Sequence, residues 1–249
     1  MSERNTHVAV LMGGLSAERP VSLMTGNACA DGLETSGFRV SRVDVTADLA
    51  MQLKELAPDV AFNALHGPMG EDGSVQGILE YMKIPYTHSG VLASALAMDK
   101  ARAKPVMAAA GIPVAEHVVC HRQEAAQRHV MDPPYVAKPV AEGSSFGVLI
   151  VPEGANRPPA ELASDDWPYG DEIMAERYIA GRELTCACFN ETVWDIIEIV
   201  PVSESFYGYD AKYAPGGSRH ILPASLKPNI YQDIQQYTLL AHRALGCRG

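Results

Sequence analysis

At 249 residues, with 47% hydrophobic and 20% charged side chains, the chain has ordinary globular composition and enough apolar mass for a real core. That excludes a disordered, collagen-like or small disulfide-stapled chain, and a net charge of −10 excludes a general nucleic-acid binder, which needs a cationic field. No apolar run reaches the roughly 20 residues that span a bilayer, and residues 1–12 lack the hydrophobic region of a signal peptide, so a soluble, cytoplasmic, non-membrane chain is expected.

Alternating strand and helix patterns predict a parallel sheet in the first third: strand 7–12, helix 21–36, strand 39–45, helix 49–56, strand 60–65, helix 74–82 and a short strand 85–87. Together they make a doubly wound α/β unit, in which the loops at the carboxyl ends of the strands carry function. Around 89–90 the rhythm changes to consecutive helices, 91–97 and 99–110, the second capped by Asp99 and stopped by Gly111. A domain boundary belongs there. Strand patterns at 115–120, 135–140, 147–151, 172–176, 184–189 and 193–200 then predict a mainly antiparallel α+β region. The proline-rich stretch 156–168 reads as a surface connection with freedom to move, and 203–219, rich in tyrosine and glycine, as a long functional loop. A helix over 230–245 closes at Gly246. The five cysteines are odd in number and form no C-x-x-C pair, so neither a disulfide framework nor a zinc site is predicted. Cys186 and Cys188 fall on one strand face and read as buried thiols.

Three clusters carry polar chemistry. Gly13-Gly14-Leu15-Ser16-Ala17-Glu18-Arg19 lies between a strand and a helix, where free N–H groups and the helix dipole favour an anion, yet it lacks the dinucleotide glycine pattern. Glu18 and Arg19 either hold the two ends of a zwitterion or leave Glu18 as a first-turn acid that stabilises the helix. His66-Gly67-Pro68-Met69-Gly70-Glu71-Asp72-Gly73 follows another strand; His66 is either a donor to a carboxylate or phosphate or a structural histidine, and no metal-ligand spacing accompanies it. Lys138-Pro139-Val140-Ala141-Glu142-Gly143-Ser144-Ser145-Phe146-Gly147 is either a phosphate-binding loop with a fixed cation or a flexible hairpin. It also satisfies G-x-S-x-G at Ser145, with His220 and His242 downstream, but a hydrolase elbow needs a helix after the serine and residues 148–151 read as strand. No P-loop or kinase signature is present. Glu176 and Glu183 stand at strand ends, where carboxylates accept ribose hydroxyls or are merely charged hairpin ends.

The order of these clusters is more specific than any one of them. Gly13-Gly14-x-Ser16-Ala17-Glu18-Arg19-x-Val21-Ser22 is followed by Ala64-Leu65-His66-Gly67, Gly70-Glu71-Asp72-Gly73-x-x-Gln76-Gly77 and Met98-Asp99-Lys100. Lys138-Pro139, Glu142-Gly143-Ser144-Ser145-x-Gly147 and Tyr209-Asp210-x-Lys212-Tyr213 complete the series, and the whole chain closely resembles the D-alanine–D-alanine ligases. The resemblance implies an ATP-grasp enzyme with an α/β domain over 1–97, a central ATP-grasp subdomain over 98–182 and an incomplete C-terminal subdomain over 183–249. It implies that ATP phosphorylates the carboxylate of one D-alanine and that the amine of a second displaces phosphate, giving a dipeptide for peptidoglycan precursors. ATP, D-alanine and magnesium, or manganese in its place, are the implied ligands, and a homodimer through the first domain is the implied assembly.

By the same resemblance Glu18 orients the ammonium of the first D-alanine, Ser144 and Tyr213 complete a hydrogen-bonded triad with it, and His66 sits beside that substrate. Lys100 and Lys138 bind nucleotide phosphates, Ser145 closes over them, and Lys212 links the mobile loop to them. Glu176, Arg177, Tyr178, Ile179 and Glu183 hold adenine and ribose. Tyr213 within Asp210-Ala211-Lys212-Tyr213 favours D-alanine in both sites over D-lactate or D-serine. The nearest rival, another ATP-grasp ligase with a different acceptor, is disfavoured by the set Glu18, Ser144 and Tyr213; a third reading is a nucleotide-binding module without turnover. Two departures stand out. Pro20 replaces the acidic residue common in the family, which suits a first helical turn but alters the surroundings of Glu18. The family also continues past the position of Cys247-Arg248-Gly249 into strands bearing a substrate-carboxylate arginine and the magnesium ligands. None of those is among residues 1–249, so a chain that stops there is expected not to turn over.

Overall fold

The computed structural model describes residues 6–202, 208, 212 and 216–248. They fall into two compact units, one running to Met98 and taking up the residues from Gly246 on, the other Asp99–Leu245.

In the first unit, strand β1 (His7–Gly13) is apolar on both faces and buried along its whole length, as expected of the centre of a parallel sheet. It pairs in parallel with β2 (Arg39–Val45) and β3 (Val60–Asn63), in the order β2-β1-β3. Ala9 and Leu11 face helices α2 (Leu49–Leu56) and α3 (Ser74–Met82), in a core with Leu53, Val75 and Leu79. Val8, Val10 and Met12 face the other way, into a cluster with Ala30 of α1 (Arg19–Thr35). The period of two thus winds the sheet on both sides. Helix α1 lies close enough to β1 that a Cβ on Gly26 would stand 2.4 Å from Met12 Cβ. Helix α4 (Val91–Met98) follows. The strand expected over 60–65 stops at Asn63, because Asn63 Oδ1 accepts the N–H of Leu65 at 3.2 Å and turns the chain. The strand expected over 85–87 is a single parallel bridge from Tyr86 to Ala61.

The second unit opens with α5 (Lys100–Ala109), capped where Asp99 Oδ1 accepts the N–H of Arg102 at 3.0 Å. Strand β4 (His117–His121), helix α6 (Arg122–Gln127), β5 (Tyr135–Pro139), β6 (Leu149–Val151) and β7 (Glu172–Arg177) come next. Their sheet has the order β4-β7-β5-β6, antiparallel throughout. Strands β8 (Glu183–Phe189), β9 (Thr192–Pro201) and β10 (Ser218–Ile221) form a second antiparallel sheet, against which α7 (Pro228–Leu245) packs. Residues 218–219, expected in the long loop, belong to β10 because they pair with Pro201 and Val200.

Two further expectations are corrected. The stretch 156–168 is not a free surface connection: a 3₁₀ turn at Ala160–Ala163 sends Leu162, fully buried, into the core with Tyr135, Ala137, Ile173 and Ala175. Arg122 Nη1 donates to the carbonyls of Leu162 and Ser164, each at 2.9 Å, so the turn is also tied to α6. Cys186 and Cys188 do share a face of β8, but a register shift between them and an outer position leave them half-buried, as are the other three thiols.

Truncating Leu162→Ala removes a packed core side chain and is expected to cost about 2–5 kcal/mol by urea denaturation. A loss below about 1 kcal/mol would mean that the turn is not docked.

Candidate active site

The first polar centre is built by the loops after β1 and β3. The chain leaves β1 through Gly13 and Gly14, both at positive φ, and Ser22 Oγ bridges them to the second loop: it accepts from Gly13 N at 2.9 Å and donates to Ala64 O at 2.7 Å. Ser16 Oγ donates to His66 O at 2.7 Å and accepts from Glu18 N at 3.2 Å. Glu18 is the N-cap residue of α1 yet makes no side-chain cap, and it is 3% exposed. Its carboxylate lies against the second loop, so that a Cβ on Gly67, at φ +72°, would stand 2.7 Å from Glu18 Oε1. Glu18 is therefore not a first-turn acid serving the helix. Nor does it act with Arg19 on a zwitterion: Arg19 turns outward into a bidentate pair with Asp44, at 2.6 and 2.7 Å.

His66 stands between α1 and the loop, with Nε2 3.1 Å from Thr25 Oγ1 and Nδ1 3.9 Å from Glu71 Oε1. The Glu71 carboxylate raises the imidazole pKa above its ordinary value and Glu18 adds to the effect, against the opposing pull of burial. Glu71 Oε2 also accepts Gly67 N at 2.7 Å, and both Asn63 Nδ2 and Gln76 Nε2 donate to Gly70 O at 3.0 Å. A loop of eight residues is thus held by side chains at both ends.

The second centre is a cavity of about 520 Å³ inside the second unit. Strand alternation makes it. Tyr135 and Ala137 of β5, with Ile173 and Ala175 of β7, point into the core, so Val136, Lys138 and Glu176 face the opposite side and line the cavity. Lys138 pairs with Met174 and Val136 with Glu176, which makes Lys138 and Glu176 diagonal neighbours. Glu176 receives Lys138 Nζ on Oε2 and Lys104 Nζ on Oε1. Burial works to raise the Glu176 pKa, but the two ammonium donors hold it below the usual carboxylate range. Lys100 Nζ donates to Glu142 O at 2.6 Å, and burial, with the charge of Lys138 nearby, lowers its pKa.

The cavity gathers Lys100, Lys138, Lys212, Ser144 and Ser145 on the loop side and Glu176, Arg177, Tyr178, Ile179 and Glu183 along the strand edge. Ser144 and Ser145 take φ of 49° and 62°, consecutive left-handed residues that turn the chain tightly. Phe146 stacks on Tyr169, and a Cβ on Gly147 would stand 2.7 Å from the Tyr169 ring. Arg177 lines the cavity, but its guanidinium is committed to Asp132 O at 2.8 Å and Glu116 at 3.3 Å. Ser145 is followed by a turn and β6 rather than a helix, which removes the hydrolase elbow. Tyr213 lies outside the described residues. Sequence reasoning missed Thr25 and Lys104; the signal for Lys104 was its spacing of four from Lys100, which puts both on one face of α5.

Residues 106–249 match the family described as D-ala D-ala ligase C-terminus, and residues 49–89 match its N-terminus counterpart. The chain is 65% identical to a D-alanine–D-alanine ligase of Chelativorans sp. (strain BNC1), over 99% of this chain and 80% of that protein. Two crystal structures of the D-alanine–D-alanine ligase from Bacillus anthracis superpose on it. One has a TM-score of 0.79 at 33% identity, covering 98% of this chain and 80% of the other. The second, complexed with ATP, has a TM-score of 0.78 at 31% identity, covering 98% and 79%.

Because the folded pKa of His66 is raised, protonation of the ring favours the folded form below the unfolded value of about 6.5, and this contribution fades as pH rises through the folded value. In an NMR titration the His66 ring is expected to titrate above 6.5, and Glu71→Gln to move its midpoint down; an unmoved midpoint would rule out Glu71 as the cause.

Proposed function

The chain belongs to the D-alanine–D-alanine ligase family, and we propose that it joins two D-alanines at the expense of ATP, through D-alanyl phosphate, to supply the dipeptide for cell wall precursors. The observation that carries the reading is the cavity in which lysines 100, 138 and 212 and the serine turn at 144–145 meet the strand edge at 176–183. A carboxylate is a poor electrophile; transfer of the γ-phosphoryl group to one of its oxygens releases ADP and makes a mixed anhydride. The amine of the second D-alanine then attacks the acyl carbon, the C–O bond to phosphate breaks, and the amine loses a proton.

For these steps the protein supplies alignment and charge neutralisation more than covalent chemistry. Lys100 and Lys138 take the phosphates, Ser145 and its backbone close over them, and Lys212 joins from the following loop. Glu176, Glu183 and the segment 177–179 take the base and ribose. Glu18, buried and ionisable, receives the ammonium of the first D-alanine, and His66, held by Thr25 and Glu71, donates to its carboxylate. Ser144 and Tyr213 carry the remaining hydrogen bonds of the substrate. D-Alanine in both sites, a homodimer through the first domain and a cytoplasmic setting, where ATP is available, complete the assignment. Among the described residues no helix is long and apolar enough to cross a membrane. Magnesium, or manganese in its place, is implied by the family, but among the described residues no group of three or more His, Cys, Asp or Glu is arranged to hold a metal ion. No step here is therefore assigned to it.

The test is ADP release by the protein at its natural length, its intact mass recorded on the same sample, with ATP, magnesium and D-alanine. D-Alanine-dependent release with D-alanyl-D-alanine formed, and none with L-alanine, is expected; a protein that binds ATP but makes no dipeptide overturns the assignment. Glu18→Gln is expected to lower turnover about 10- to 100-fold, the scale of one charge-assisted hydrogen bond, with ATP affinity unchanged.

A further inference from the structure

On the nucleotide reading of the cavity, we propose that Lys104, which does not line it, is a positioning residue that acts through Glu176 to set the charge Lys138 presents to the nucleotide phosphates. Three observations carry this. Lys104 is 6% exposed, and its ammonium ends on Glu176 Oε1. The other oxygen of the same carboxylate receives Lys138, which does line the cavity. Lys104 itself comes from α5 and is not among the residues that line the cavity.

A buried ammonium is costly unless paired, and one carboxylate can accept from two. Two lysines on one glutamate leave the trio with a net charge of +1. If Glu176 were answered by Lys138 alone, the pair would be neutral and the wall of the cavity would lose one positive charge. With both oxygens engaged, the carboxylate is also fixed in orientation, so the Lys138 ammonium is aimed as well as left in surplus. Lys104 thus contributes to phosphate binding without touching the ligand.

The consequence is a ranking by charge rather than by packing. Loss of one unit charge several ångströms from a phosphate, at the effective dielectric of a partly buried site, is worth about tenfold in affinity. We therefore expect K104M to bind ATP and ADP about tenfold more weakly by isothermal titration, with a shallower dependence on salt, while adenosine binds as it does to the unmutated protein. Unchanged ATP affinity in K104M, or an equal loss of ATP and adenosine, overturns the proposal and leaves Lys104 a packing residue. Should K104M not fold, K104R and K104Q take its place: near-original ATP affinity is expected for the first and about tenfold weaker for the second, and equal affinities overturn the proposal. Failure of the unmutated protein to bind ATP is a separate result, since it removes the nucleotide reading itself.

Discussion

A half-buried carboxylate held between two ammonium groups is the constraint from which the second unit is best understood. Glu176 cannot be moved out of its strand position without stranding Lys104 and Lys138, the two ammonium groups it answers at once. The trio pins β7 to β5 and to α5 at one point. Lys100, one helical turn from Lys104, is then directed to the carbonyls of the 140–142 loop. The geometry of the loop that carries the two left-handed serines follows from that anchor, because its start is held by Lys100 and its end by the Phe146–Tyr169 stack.

The first unit solves a different problem, that of setting a carboxylate and an imidazole on two neighbouring loops. It does so with backbone. Gly67 has no Cβ, and only that absence makes room for the Glu18 carboxylate. Ser16 and Ser22 tie the β1 loop to the β3 loop, so the two cannot drift apart independently. Asp44 draws Arg19 outward, away from the loop that Glu18 faces. Neighbours in sequence are thus separated in role, one serving the site and the other the surface.

What was legible in the sequence is what depends on short-range periodicity. Strand β1, apolar at every position after His7, announced a parallel sheet, and the glycines after it announced a loop at its carboxyl end. The polar clusters were visible because each is contiguous. Features that rest on distant partners were not. Lys104 and Glu176 are 72 residues apart, and no local pattern joins them. Leu162 is the single aliphatic residue larger than alanine in a proline-rich stretch, so its burial depends on α6 and β5 rather than on its own surroundings. The end of β3 turned on one side-chain hydrogen bond from Asn63, which competes with the strand ladder and has no signature in hydropathy. Arg177 lines the cavity as its place in the motif implies, but the partner of its guanidinium, the carbonyl of Asp132 45 residues away, has no local signature either.

The acidity of the chain and the anionic charge of its nucleotide are reconciled by distance. With a net charge of −10 the protein as a whole repels ATP, but at physiological ionic strength that field is screened beyond about 8 Å. Inside the cavity the relevant charges are those in its walls, where solvent is displaced and screening is weak. There the lysines at 100, 138 and 212 face glutamates 142, 176 and 183, which would cancel them if each carboxylate pointed inward. Glu176 does not fully cancel Lys138, because Lys104 shares it. A lysine that does not line the cavity therefore adds one positive charge to the wall that the ligand meets.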